Sequence, residues 1–103
     1  MNYLHFKQKI RKWAEERNIL ELSPIEQLKV LREEISELEL EVYKKDIEKT
    51  SMEWADCMVV LTIMSEMLEI DVEKAFDAVV QKLNKRKKGA IIDGKWRKTS
   101  SDE

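Results

Sequence analysis

Residues 57–64 read Cys-Met-Val-Val-Leu-Thr-Ile-Met. Only Thr62 interrupts the apolar run, and consecutive apolar residues go all the way round a helix. A helix of that kind is buried on most sides, so it is central to the molecule or to an oligomer. Followed outward, the segment predicts a helix from Thr50-Ser51 to about Glu69. Thr50 and Glu53, three residues apart, have the spacing of a capping box.

The flanking segments supply what covers it. Upstream, Leu4, Ile10, Trp13 and Ala14 give residues 2–16 a loose helical stripe, with Asn18 as a stop. Ser23-Pro24 reads as an N-cap followed by the first helical position, where the proline lacks only a hydrogen that would be orphaned anyway. From Pro24 to about Tyr43, Leu28, Leu31, Ile35, Leu38 and Val42 recur at intervals of three and four and define one inner face. Lys44 to Lys49 reads as a charged connection. Downstream, Asp71 caps a fourth helix, Val72 to about Lys87, with Val72, Ala75, Phe76, Val79, Val80 and Leu83 on its inner face and Gly89 ending it. Asp93-Gly94 lies between short apolar runs and predicts a small hairpin or hook, because a type I′ turn needs two left-handed residues. The expected fold is all-α: a four-helix bundle closed by homo-oligomerisation, one domain over residues 1–98 with a flexible tail over 99–103.

Composition agrees. The chain has 103 residues, 39% of them charged, with 2 glycines and 1 proline, which suits long helices with solvated faces rather than a many-turned sheet. A domain this small buries a modest share of its surface, so a partner subunit helps it. The net charge of −2 gives no global pull toward nucleic acid or an anionic membrane. No stretch reaches the length of a bilayer span, and residues 1–11 lack the apolar core of a signal peptide. The expectation is a cytoplasmic protein with no nucleic-acid or membrane partner. Cys57 reads as a small core residue, and His5, the sole histidine, is assigned no chemistry.

Two pairs of acids need an explanation. Glu34 and Glu37 sit three apart on the second helix, on the shoulder of its apolar stripe. Glu41 extends that shoulder by a turn. Glu53 and Asp56 sit three apart near the start of the third helix and are the only charges from Met52 to Ser65. If the second and third helices fold back on each other, the pairs can converge. Four carboxylates cannot all ionise together without a strong counter-charge. A hard divalent ion with oxygen ligands supplies one, and Mg²⁺ is the usual ion when phosphates complete its shell. Each pair also has a plainer reading. Glu34 and Glu37 belong to a Glu-rich, solvated face, while Glu53 and Asp56 suit the first turns of a helix.

Arg32-Glu33-Glu34-Ile35-Ser36-Glu37-Leu38 followed by Glu53-Trp54-Ala55-Asp56 resembles the EExxE…ExxD signature of the MazG-like, all-α NTP pyrophosphohydrolases. The Val59-Val60-Leu61 run, Ile70-Asp71, the basic stretch 82–88 and the Gly94-Lys95-Trp96 close extend the resemblance over about residues 28–98. It implies hydrolysis of a (d)NTP to the monophosphate and pyrophosphate. It also implies that Glu34, Glu37, Glu53 and Asp56 hold Mg²⁺ as the catalytic acids. A triphosphate needs cationic contacts beyond the metal. Lys82 and Arg86, four apart on the fourth helix, are the candidates for cofactor and phosphate binding, with Asn84 as a third. Lys87 and Lys88 also suit a helix C-terminus electrostatically. Trp13 and Trp54 read as core or interface residues and Trp96 as a packing anchor.

Two rivals come from other classes. A non-catalytic helical homodimer, acting as an interaction module, predicts no divalent-ion dependence. A small nucleic-acid binder using residues 85–88 with Arg97 and Lys98 predicts affinity that falls steeply with salt. The sequence leaves open the base and sugar, the number of metals, and dimer against tetramer.

Overall fold

The computed structural model describes residues 1–86 and 89–98. Lys87 and Lys88, and the predicted flexible tail 99–103, lie outside the described residues. The described chain contains four helices, α1 (Tyr3–Glu16), α2 (Pro24–Lys44), α3 (Ile47–Met67) and α4 (Val72–Lys85), a single 3-10 turn at Ile19–Glu21, and two short strands, β1 (Gly89–Ile92) and β2 (Lys95–Lys98). It forms two compact units, Met1–Ile70 and Asp71–Glu103. No helix among the described residues is long and apolar enough to cross a membrane.

In the first unit, α3 packs mainly on α2 and secondarily on α1. Each helix starts at a side-chain cap. Asn2 accepts from the His5 N–H at 3.0 Å and Ser23 from Ile25 at 3.1 Å, with Pro24 in the first turn of α2. The start of α3 corrects the sequence reading. Its N-cap is Asp46, whose carboxylate accepts from the Lys49 N–H at 3.1 Å, and not Thr50. The backbone N–H of Thr50 already bonds to the Asp46 carbonyl, so Thr50 lies inside the helix and no capping box with Glu53 exists. Glu48 and Lys49, part of the predicted charged connection, are helix-compatible, and Glu48 in the first turn suits the helix dipole. Only Lys45, left-handed at φ 58°, and Asp46 separate α2 from α3. A connection that short makes the two helices antiparallel neighbours.

Burial also departs from the simple stripe. Leu28, Leu31 and Leu38 are half-buried, but Ile35 and Val42 are exposed. The face of α2 turned to α3 is shifted toward Gln27, Glu34 and Glu41, which are buried or half-buried. Cys57, Val60, Thr62, Ile63 and Ser65 of α3 are buried, so this helix is central to its unit. Its burial is not complete, however. Ile47, Trp54, Leu61 and Leu68, one every seven residues, are 75%, 59%, 45% and 52% exposed in the single chain.

In the second unit, Asp71 caps α4 by accepting from the Lys74 N–H at 3.1 Å. The helix ends at Lys85, with Arg86 as the C-cap residue, two residues short of the predicted Lys87. Gly89 does not end it. It opens β1 and pairs with Lys98, in a ladder where Ile92 pairs with Lys95. A Cβ at Gly89 would collide with the Trp96 indole and the Arg97 carbonyl, so the position needs glycine for close packing. Asp93 and Gly94, at φ 52° and 75°, are both left-handed, as the turn chemistry requires.

The cap assignment is testable in urea melts. Asp46→Ala is expected to destabilise the protein by about 1 kcal/mol, and Thr50→Ala by clearly less. The opposite order would place the helix start at Thr50.

Candidate metal centre

The two-residue turn at Lys45-Asp46 folds α2 back along α3 and brings acids from both helices together. One carboxylate oxygen from each of Glu34, Glu37 and Glu53 lies within 4.8 Å of the others. Glu37 is exposed, whereas Glu34 and Glu53 are half-buried. Asp56 is not part of this tight group. It adjoins it closely enough that its charge acts on both Glu34 and Glu53.

The electrostatics are those of an uncompensated site. Burial raises the pKa of the Glu34 carboxyl, and the charges of Glu37 and Asp56 raise it further. Glu53 is raised by burial first and then by Glu37, Asp56 and Glu34. The Oε2 atoms of Glu34 and Glu53 are buried and have no hydrogen-bond partner. A buried polar atom without a partner is costly, and no cation of the protein forms an ion pair with these three acids among the described residues. Three carboxylates, two of them with orphaned oxygens, form a hard, all-oxygen donor set that fits a hard divalent cation. Glu41, a turn beyond Glu37, also has a buried Oε2 without a partner, but its Oε1 lies 3.6 Å from Lys44 Nζ. Cys57 lies beside the acids. Burial, then the charges of Glu34, Asp56 and Glu53, push its thiol up, which leaves it a protonated core residue and a poor nucleophile.

Asp56 also opens onto a feature the sequence reading did not find. With Val59 of α3 and Lys9, Ile10 and Trp13 of α1 it lines a cleft of about 430 Å³, within the size range of small-molecule sites. Trp13 is neither core nor fully exposed. Arg17 lies over its ring at 4.7 Å from the centroid and donates to its backbone carbonyl at 3.0 Å. The apolar stripe of α1 hinted at packing against α3, but nothing in spacing alone aligned Trp13 with Asp56. A smaller hollow of about 210 Å³ lies between Tyr3, Phe6, Trp54 and Met58 and has no acidic residue in its lining.

Lys82 and Asn84 are exposed on α4, and half-buried Arg86 follows the helix as its C-cap. All three belong to the second unit.

A comparison with protein families matches residues 22–91 to the MazG nucleotide pyrophosphohydrolase domain. The chain belongs to the MazG family. The match contains the whole acidic group and runs through α4 into β1. MazG domains hydrolyse the pyrophosphate bonds of nucleoside triphosphates, typically with a metal. Comparison with curated proteins and with solved structures gives no match.

The raised carboxyls have a consequence for stability. Glu34 and Glu53 bind protons more tightly folded than unfolded, so the folded chain holds the extra proton. Stability from these groups is therefore full below the ordinary carboxylate pKa and is lost as pH rises through the raised values. Without metal, lowering the pH from about 7 toward 5 should raise the Tm of the wild type relative to a Glu34→Gln/Glu53→Gln variant. Millimolar Mg²⁺ should abolish that difference in slope. Identical pH profiles for the two proteins would show that the acids are not crowded.

Proposed function

We propose that this MazG chain is a Mg²⁺-dependent nucleotide pyrophosphohydrolase that cleaves a (d)NTP to the (d)NMP and pyrophosphate. The observation that carries the reading is the convergence of Glu34, Glu37 and Glu53 with two buried, unpartnered oxygens. Glu34, Glu37 and Glu53 would hold the metal, and neighbouring Asp56 completes the acidic set. When bound, the ion neutralises the triphosphate and lowers the pKa of a water molecule. One of the carboxylates orients that water for in-line attack on the α-phosphorus and takes its proton, and the pyrophosphate leaves on the opposite side. Lys82 and Arg86, with Asn84, supply phosphate contacts.

The nucleoside end is assigned to the cleft between α1 and α3. Of the two hollows beside α1 it is the one that shares a residue with the acidic set, Asp56. Trp13, backed by Arg17, offers a flat aromatic wall for a base.

The active form is a homo-oligomer. The seam of Ile47, Trp54, Leu61 and Leu68 repeats every seven residues and is exposed in one chain, and large apolar side chains aligned along one helix suit an interaction site. A dimer and a tetramer both cover it. The cytoplasm is the corresponding setting.

Pyrophosphate release from a panel of dNTPs and NTPs, with Mg²⁺ and with EDTA, tests the activity. The expected result is Mg²⁺-dependent release that names the preferred nucleotide and falls at least about a hundredfold in folded Glu53→Gln. No release with any nucleotide would favour the non-catalytic helical dimer. In sedimentation experiments Leu61→Lys should shift the protein toward monomer; an unchanged mass would remove the seam from the interface.

A further inference from the structure

Glu66 lies outside the acidic group, yet it is among the most occupied carboxylates in the first unit. Its side chain is only 9% exposed. Lys7 Nζ approaches Oε1 at 3.3 Å, and Arg11 Nη1 donates to Oε2. Arg11 Nε also donates to Glu15 at 2.7 Å, which orients the guanidinium toward α3. Glu66, then Glu15, raise the Arg11 pKa further, as expected for a cation held by two acids.

Position on the helix gives this clamp a meaning. At about 100° per residue, Lys7 and Arg11 occupy one flank of α1, Tyr3 and Ala14 the centre, and Ile10 and Trp13 the other flank. The centre is fixed by buried Ala14 and by the hydrogen bond between the Tyr3 and Thr62 hydroxyls at 2.9 Å. The Glu66 clamp therefore ties down one flank, while the opposite flank forms the cleft wall with Asp56 and Val59. Along α3, Glu66 and Asp56 are ten residues apart, about 15 Å, so α1 is held at one end of the contact and forms the cleft at the other.

We propose that Glu66 is a positioning residue for nucleotide binding: by holding Lys7 and Arg11 it sets the position of α1 and thus of the Trp13 wall. The proposal rests on the nucleoside lying in the α1–α3 cleft. Without the clamp, α1 can roll about its centre, and the nucleotide must order it on binding, which weakens binding. The acids of α2 and α3 keep their places, so the chemical step is untouched.

The test uses the full chain and the nucleotide that the wild type turns over best. In Glu66→Gln, KM is expected to rise about tenfold with kcat within about twofold, a binding loss of one decade. Calorimetric Kd for the α,β-imido analogue of that nucleotide should rise in parallel. Inhibition by inorganic tripolyphosphate, which has no nucleoside, should not change. Arg11→Met, at a half-exposed guanidinium, should reproduce the effect if Glu66→Gln fails to fold, and Arg11→Lys should restore most of it. An unchanged KM in a folded variant, an equal loss in kcat, or an equal weakening of tripolyphosphate would overturn the proposal. If the wild type neither hydrolyses nor binds any nucleotide, the functional reading itself falls and the proposal falls with it. A wild type that turns over nucleotide while the clamp variants match it overturns the positioning role alone.

Discussion

Carboxylates from Glu34, Glu37 and Glu53 meet within 4.8 Å at the junction of α2 and α3, and the rest of the first unit is arranged around that crowding. Like charges at this separation repel, burial adds desolvation, and among the described residues no ammonium or guanidinium pairs with the three. The protein answers in part by holding protons on Glu34 and Glu53 more tightly than a free carboxylate does. A buried apolar replacement would suit stability better at these positions. Retaining three acids there makes sense when a cation is part of the working molecule.

Local chemistry makes the crowding possible. Lys45 ends α2 in a left-handed turn and Asp46 starts α3 at once, so Glu37 on one helix and Glu53 on the next face each other with little freedom. The central position of α3 follows from its apolar run, and along the same segment Ile47, Trp54, Leu61 and Leu68 form a heptad-spaced series that is exposed in the single chain. α1 is attached to α3 by buried Ala14, a hydroxyl pair and a two-cation clamp, and a cleft lies beside Asp56.

Much of this was legible in residue spacing. Ser23-Pro24 and Asp71 marked helix starts correctly because capping chemistry is local. The pairing of Glu34 and Glu37 with Glu53 followed from helical periodicity plus a fold-back. The resemblance to MazG domains, carried by those same acids, agrees with the family match over residues 22–91. What spacing could not resolve was competition between signals. Thr50 and Asp46 both cap well, and the charged run between them looked like a loop, although lysine and glutamate are good helix formers. Ile35 and Val42 belong to the apolar stripe, but α2 is turned so that Glu34 and Glu41 face α3 instead. Gly89 reads as a helix stop by type, while its role is to admit the Trp96 indole. The Trp13–Asp56 cleft joins residues more than forty positions apart, and no local pattern encodes it.

The central claim is that the Glu34–Glu37–Glu53 group is a cation site. Its most direct measurement is an anomalous difference map from crystals soaked in Mn²⁺, an oxygen-seeking stand-in for Mg²⁺. The account predicts a peak among these three carboxylates, within about 2.0–2.4 Å of their oxygens, that vanishes in Glu53→Gln. A map with no peak there, or with the ion bound only elsewhere, would contradict it.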